Sequence, residues 1–281
     1  MCHFLVCLSI IHEFAIIGNG DNMTINNNRI ALLDEIRGFC VLCMIFYHAF
    51  IFSYEQYDVQ FGYDAYTFFL PVQPFVSCMF LFICGVCCRL SHSNLKRGLK
   101  LSVFALGLNF VSIILLPKMG FVGTEIWWGV LDFFMVCILL YALLEKPIIS
   151  KIPAWLGLLI SIFLFWIFRH WETEGTISLW GDIAWQLPEK AYEIKWLFPF
   201  GIMYEDFYSA DYFPLIPYGF VFSMGTYVGV WVKEGKVPSF AYPVHSKVLM
   251  WLGQKCFLIY IIELPILFIL FEFIKWIVGK F

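Results

Sequence analysis

The chain has 281 residues, of which 61% are hydrophobic, 20% aromatic and 14% charged, with a formal net charge of −3 and a mean hydropathy of +0.80. A soluble domain carries about 25% charged residues, so this composition is that of an all-α polytopic membrane protein, and its charge balance offers nothing to a nucleic-acid partner. The ten cysteines do not make a disulfide scaffold or a metal site. Cys40, Cys43, Cys78, Cys84, Cys87, Cys88, Cys137 and Cys256 fall in apolar runs, where cysteine behaves as a small hydrophobe, and the one long polar connection holds none.

Residues 1–28 read as a lead-in. Phe4 to Ile17 is apolar but has no basic flank and carries His12 and Glu13 at its centre, so it is neither a signal peptide nor a span. Met23 opens a polar stretch that runs straight into the first apolar run, which makes Met23 the expected natural start and residues 1–22 an expected start-site artefact. Asn22-Met23-Thr24 fits a glycosylation sequon on the side expected to be cytoplasmic, where it would be inert. Residues 29–281 read as a single transmembrane domain with about seven spans, near 31–52, 67–89, 99–116, 127–144, 152–168, 213–232 and 249–277. Each suits a hydrocarbon core of about 30 Å. The last is over-long and contains Pro265, which predicts a kink or a break there. Connections are short except 169–212, rich in Trp, Glu and Asp; a loop of that length is usually functional or disordered.

Lysine and arginine set the orientation. Arg89, Lys96, Arg97 and Lys100 follow the second span, Lys146 and Lys151 the fourth, and Lys233, Lys236 and Lys247 the sixth. The first connection has none and the third only Lys118. The N-terminus is therefore expected in the cytoplasm and the 169–212 loop outside.

Within this frame the ionisable residues of the spans stand out, because each costs about 2.5–3.5 kcal/mol to insert and so faces a cavity or a partner. Asp34 and Arg37, three apart, share a helix face at the mouth of the first span. His48 lies eleven residues beyond Arg37, about 16 Å further along the helix. An Asp/Arg topology anchor plus one satisfied core histidine is the plainer reading of the same three residues. Asp132 and Glu263 are acids in apolar spans, so each must be protonated or partnered. Glu263 reaches Lys255 only across more than two turns, with help from a kink near Pro265. Asp211, beside Tyr212, sits at the outer mouth of the sixth span as an orienting acid or a plain loop-end acid. The aromatics Trp171, Trp180, Trp185, Trp196, Phe198, Phe200, Tyr204, Phe207, Tyr208 and Tyr212 form either a sugar-stacking platform or an interfacial belt.

Arg29…Leu33-Asp34-Glu35-Ile36-Arg37-Gly38 followed by His48 resembles the first-span signature of membrane acyltransferases. The chain as a whole resembles bacterial members of the heparan-α-glucosaminide N-acetyltransferase catalytic-domain family. Supporting stretches are Pro74-Phe75-Val76-Ser77, Ile83-Cys84-Gly85, Ser93 through Lys100, Asp211 through Pro217, and Leu252-Gly253 with Ile259-Tyr260 and Pro265-Ile266-Leu267. The resemblance implies transfer of an acetyl group from cytoplasmic acetyl-CoA to a hydroxyl or amine of an extracytoplasmic glycan, in a multi-pass protein of the bacterial plasma membrane. It implies His48 as general base or nucleophile, with Arg37, Asp34 and Asp211 in catalytic roles. Asp132, Glu263, Tyr212 and Tyr260 are expected at the substrate. Arg89, Lys96, Arg97 and Lys100 are expected at the CoA phosphates, although a positive-inside anchor explains those four equally well.

The family's frequent histidines in the stretches matching Gly129 to Asp132 and Tyr260 to Pro265 are Asp132 and Glu263 here, an altered proton relay or a weakened site. Membrane lipid and a glycan acceptor are the expected partners, and the aromatic membrane-facing surface permits a homodimer. A transporter or flippase for a lipid-linked glycan, or a catalytically silent scaffold, uses the same polar groups without chemistry. No inverted repeat or matched pair of broken spans favours the transporter.

Overall fold

The computed structural model describes residues 29–118, 123–180 and 183–278; the expectations for residues 1–28 lie outside the described residues. Among the described residues, six helical stretches are long and apolar enough to cross a membrane: Ala31–Glu55, Gln73–Leu90, Asn94–Lys118, Ala154–Glu174, Leu215–Lys233 and Cys256–Ile277. Val130–Leu144 is a seventh, shorter apolar helix, covering about 22 Å at 1.5 Å per residue. The protein is thus a helical, multi-pass membrane protein in which seven spans is an approximate count.

In chain order, α1 is Ala31–Tyr57 and α2 is Gln60–Phe69. α3 is Gln73–Leu90 and α4 is Asn94–Phe110, which runs through a π-helical turn, Val111–Leu115, into Leu116–Lys118. α5 is Val130–Leu144, α6 Ala154–Ile167, α7 the single turn Trp171–Glu174 and α8 Leu215–Lys233. α9 is Lys247–Gln254 and α10 Cys256–Val278. Asp58 ends α1 in the left-handed region, φ 53°, where its amide reaches back to the Tyr54 carbonyl and that of Val59 to Ser53, satisfying carbonyls the helix end leaves open.

The final apolar run departs from expectation. It breaks at Lys255 (φ −104°, ψ 10°), just past Gly253-Gln254, whereas Pro265 lies inside the continuous α10. A membrane helix tolerates proline because its neighbours re-satisfy the freed carbonyl; a glycine followed by two polar residues is the weaker point in the run.

Contacts divide the chain into two compact units: the described residues up to Phe80 together with those from Val237 onward, and Leu81–Lys236. In the first, α1 packs on α2, α9 and α10. The α1–α9 seam brings backbone against backbone. A Cβ on Gly38 would overlap the Leu249 carbonyl, and one on Gly253 the carbonyl of Asp34, the close approach that small residues allow between membrane helices. In the second unit α4 packs on α5 and α6 on α8, and Gly85 and Gly225 give α3 and α8 a similar close approach at Phe222 and Phe82. Leu81, Val86, Cys88, Ala105 and Phe133 are buried there. None of the described cysteines is in a disulfide.

The long connection after α6 is ordered around a β-hairpin, which hydropathy gave no reason to expect. Gly175, at φ 62°, turns the chain from α7 into β1, Thr176–Trp180, paired antiparallel with β2, Ile183–Gln186. Beyond it the aromatics pack largely on one another: Phe198 stacks on Phe207 at 4.9 Å, Tyr212 meets Phe207 at 5.2 Å, and Trp128 meets Phe198 at 6.4 Å. Trp185 and Trp196 remain exposed.

Candidate functional site

The mouth of α1 is built on two adjacent acids with different tasks. Asp34 is buried and gathers two guanidinium groups. Arg29 donates Nε–H to Oδ2 at 3.0 Å, and Arg37 bonds Oδ1 from one turn further along. A carboxylate shared between two arginines is a charge-assisted arrangement that survives burial because both oxygens are satisfied. Burial, then the neighbouring Arg37 charge, lowers the pKa of Arg29.

Glu35, equally buried, belongs to the seam. Its Oε1 accepts from the His245 and Ser246 amides at 2.6 and 2.8 Å, and its Oε2 from His245 Nδ1 at 3.2 Å. Ser246 is the N-cap of α9, its Oγ accepting from the Leu249 amide at 3.3 Å. Glu35 therefore supplies negative charge where the open amides and dipole of α9 favour it. Sequence reading gave no role to Glu35 or His245; an acid next to the Asp34 motif and a Ser before the last apolar run were the only signals.

Further along α1, His48 meets Glu263 of α10. His48 Nδ1 donates to Glu263 Oε1 at 2.7 Å, between residues 215 apart in sequence. The His48 side chain is 26% exposed and that of Glu263 only 3%. A carboxylate at this nitrogen favours the tautomer with its proton on Nδ1. Glu263 finds its partner in His48, not Lys255, and needs no kink to reach it. Tyr260 lies three residues before Glu263 and so shares its face of α10.

The other expected site residues lie in the second unit, and most hold structure. Asp132 Oδ2 accepts from the Gly129 amide at 2.9 Å and its Oδ1 from Asn109 Nδ2 at 3.0 Å. Asp211 Oδ2 accepts from the Val130 amide at 3.2 Å. Both acids thus hold the N-terminus of α5, where the open amides favour carboxylates. Tyr212 donates its hydroxyl to the Phe198 carbonyl at 2.6 Å. Arg89 reaches Tyr141 Oη at 3.2 Å, Ser150 Oγ at 3.3 Å and Glu145 Oε1 at 3.5 Å. Arg97 donates to Asn94 Oδ1 at 3.3 Å, while Lys96 is exposed. Lys96, Arg97 and Lys100 all stand on the first two turns of α4, which carries no acid in its first turn. The structure thus brings His48 and Glu263 together, and separately Asp34 and Arg37. It places Asp132 and Asp211 at one helix end, with Arg89 in the last turn of α3 and Lys96, Arg97 and Lys100 at the start of α4.

Residues 29–265 match the family described as heparan-alpha-glucosaminide N-acetyltransferase, catalytic. The chain belongs to this family. No curated protein and no solved structure matches the chain. Membership of the heparan-alpha-glucosaminide N-acetyltransferase catalytic family, with the apolar helices above, makes this a multi-pass membrane protein of an acetyltransferase family. The matched stretch includes Asp34, Arg37, His48 and Glu263, together with the three bases at the start of α4.

Proposed function

We propose that the protein is a membrane acyltransferase that moves an acetyl group from cytoplasmic acetyl-CoA to a sugar hydroxyl or amine of an extracytoplasmic glycan, in the bacterial plasma membrane. The observation that carries this reading is the 2.7 Å bond between His48 Nδ1 and Glu263 Oε1. A buried acid behind an imidazole is the arrangement an acyl transfer needs of its base: the acid fixes the tautomer and stabilises the imidazolium that forms. His48 Nε2 takes the proton of the attacking hydroxyl or amine as its oxygen or nitrogen bonds the acetyl carbon. The thioester C–S bond then breaks, and the proton passes to the departing CoA thiolate.

Two features suit a donor and an acceptor on opposite sides. His48 lies seventeen residues into α1 from Ala31, about 26 Å along the helix, while Asp34 and Arg37 stand at its start. The excess of Lys and Arg in alternate connections puts that start in the cytoplasm. Lys96, Arg97 and Lys100, beside the open amides of the α4 N-terminus, suit the phosphates of CoA. Arg89, engaged with Glu145, Tyr141 and Ser150, serves the inner ends of α3 and α5 instead.

The test is incubation of detergent-purified protein with acetyl-labelled acetyl-CoA and a pool of cell-wall saccharides. Label appearing on saccharide supports the reading. Label on the protein without acceptor supports it with a two-step route through an acetyl-imidazole at His48. Absence of transfer, together with failure of acetyl-CoA to raise the melting temperature, overturns it in favour of a glycan transporter or flippase, or a silent scaffold.

A further inference from the structure

The carboxylate of Glu263 is used on one side only. Oε1 holds His48, but Oε2 is buried and has no hydrogen-bond partner among the described residues. A buried acceptor without a donor is costly, and a carboxylate oxygen at membrane depth more so. Asp34 and Glu35, the other buried acids of this unit, have both oxygens engaged. Glu263 is the exception, and it is the acid that holds His48.

We propose that Glu263 Oε2 receives a second hydrogen-bond donor of the acceptor, next to the group that attacks. The site then selects acceptors with vicinal donors, a 1,2-diol or an amino alcohol, over an isolated hydroxyl. This rests on the reading of His48 as the base. Glu263 thereby links proton transfer to recognition: the acceptor that completes the shell of Oε2 also presents its neighbouring hydroxyl or amine to His48 Nε2. Glu263 accordingly contributes to specificity as well as to the positioning of His48.

The experiment compares acetyl transfer to methyl glucoside, methyl glucosaminide and their monodeoxy counterparts. With wild type, removal of the hydroxyl beside the acetylated position lowers kcat/KM on the order of 10- to 100-fold, the worth of one hydrogen bond to a charged group. In Glu263→Gln the amide oxygen must face His48 Nδ1–H, leaving an NH₂ donor where Oε2 stood. Discrimination between vicinal and deoxy acceptors then falls toward one, on top of a fall in kcat common to both that comes from the lost counter-charge behind His48. Equal wild-type kcat/KM for vicinal and deoxy acceptors overturns the inference and leaves His48 as base untouched; that comparison needs no variant to fold. Retained discrimination in Glu263→Gln also overturns it. Absence of transfer to every saccharide removes the acyltransferase reading itself, and this inference with it.

Discussion

Gly253→Ala places a methyl group against backbone rather than a movable side chain. Its Cβ would overlap the Asp34 carbonyl, and Gly38 N lies 3.0 Å from the same point, so no rotamer change relieves the clash and α9 must move off α1. Overpacking of this kind costs about 1–3 kcal/mol, with the rigid backbone favouring the upper end. The gain in helix propensity, up to about 1 kcal/mol, offsets part, leaving a net loss of about 1–2 kcal/mol. Displacement of α9 also strains the three bonds from Glu35 to His245 and Ser246, which keeps the loss from relaxing away. For a chain of this size that is a fall of roughly 2–8 °C in Tm, read by intrinsic fluorescence in detergent. Gly107→Ala is the control, since nothing lies within 4 Å of its added Cβ, and its Tm should hold or rise. The reasoning is refuted if Gly253→Ala melts with or above wild type, or if both variants shift alike.

Four further outcomes follow from the same geometry. Asp211→Asn keeps an acceptor oxygen for the Val130 amide and should retain transfer activity within roughly threefold, whereas Asp211→Ala should lose about 1 kcal/mol of stability; a large loss of kcat in the Asn variant would restore a catalytic role. Arg89→Met should lower stability by about 1 kcal/mol, given the partial exposure of the pair, by leaving Glu145 with the Tyr141 hydroxyl but no cation, and leave acetyl-CoA affinity unchanged. Lys96→Ala, Arg97→Ala and Lys100→Ala should each weaken that affinity with little effect on Tm, both quantities being read by calorimetry. Burial first, and the Glu172 charge next, push the Tyr212 phenol well above its ordinary range. Since the unfolded phenol ionises near pH 10 while the folded one keeps its proton, stability should fall as pH rises through that value; in pH-dependent melting, Tyr212→Phe should show a shallower fall.

The spans, the mouth of α1 and the prominence of His48 were legible because hydropathy and a charged residue in an apolar run are local signals. The pairing of His48 with Glu263 was not, since a helix that is apolar on all sides does not reveal which face meets which neighbour, and the two residues are 215 apart. The Glu35 link to α9 escaped notice for the same reason. Proline drew the expected break to Pro265, although the polar Gln254-Lys255 after Gly253 was visible in the same run and proved the actual boundary. The hairpin Thr176–Gln186 was hidden because its tryptophans suggest an interfacial belt as readily as a strand. Asp132 and Asp211 carry no sequence mark that separates an acid holding helix amides from one waiting for substrate; only their hydrogen bonds do.

The central claim is that His48, oriented by Glu263, is the base of an acetyl transfer. The direct measurement is kcat for acetyl transfer in His48→Ala against wild type, with the acetyl-CoA Kd measured on the same preparations. The account predicts a fall in kcat of about 100-fold or more, the usual worth of a positioned base, with Kd unchanged. A His48→Ala protein that transfers acetyl groups within a few-fold of wild type would contradict it.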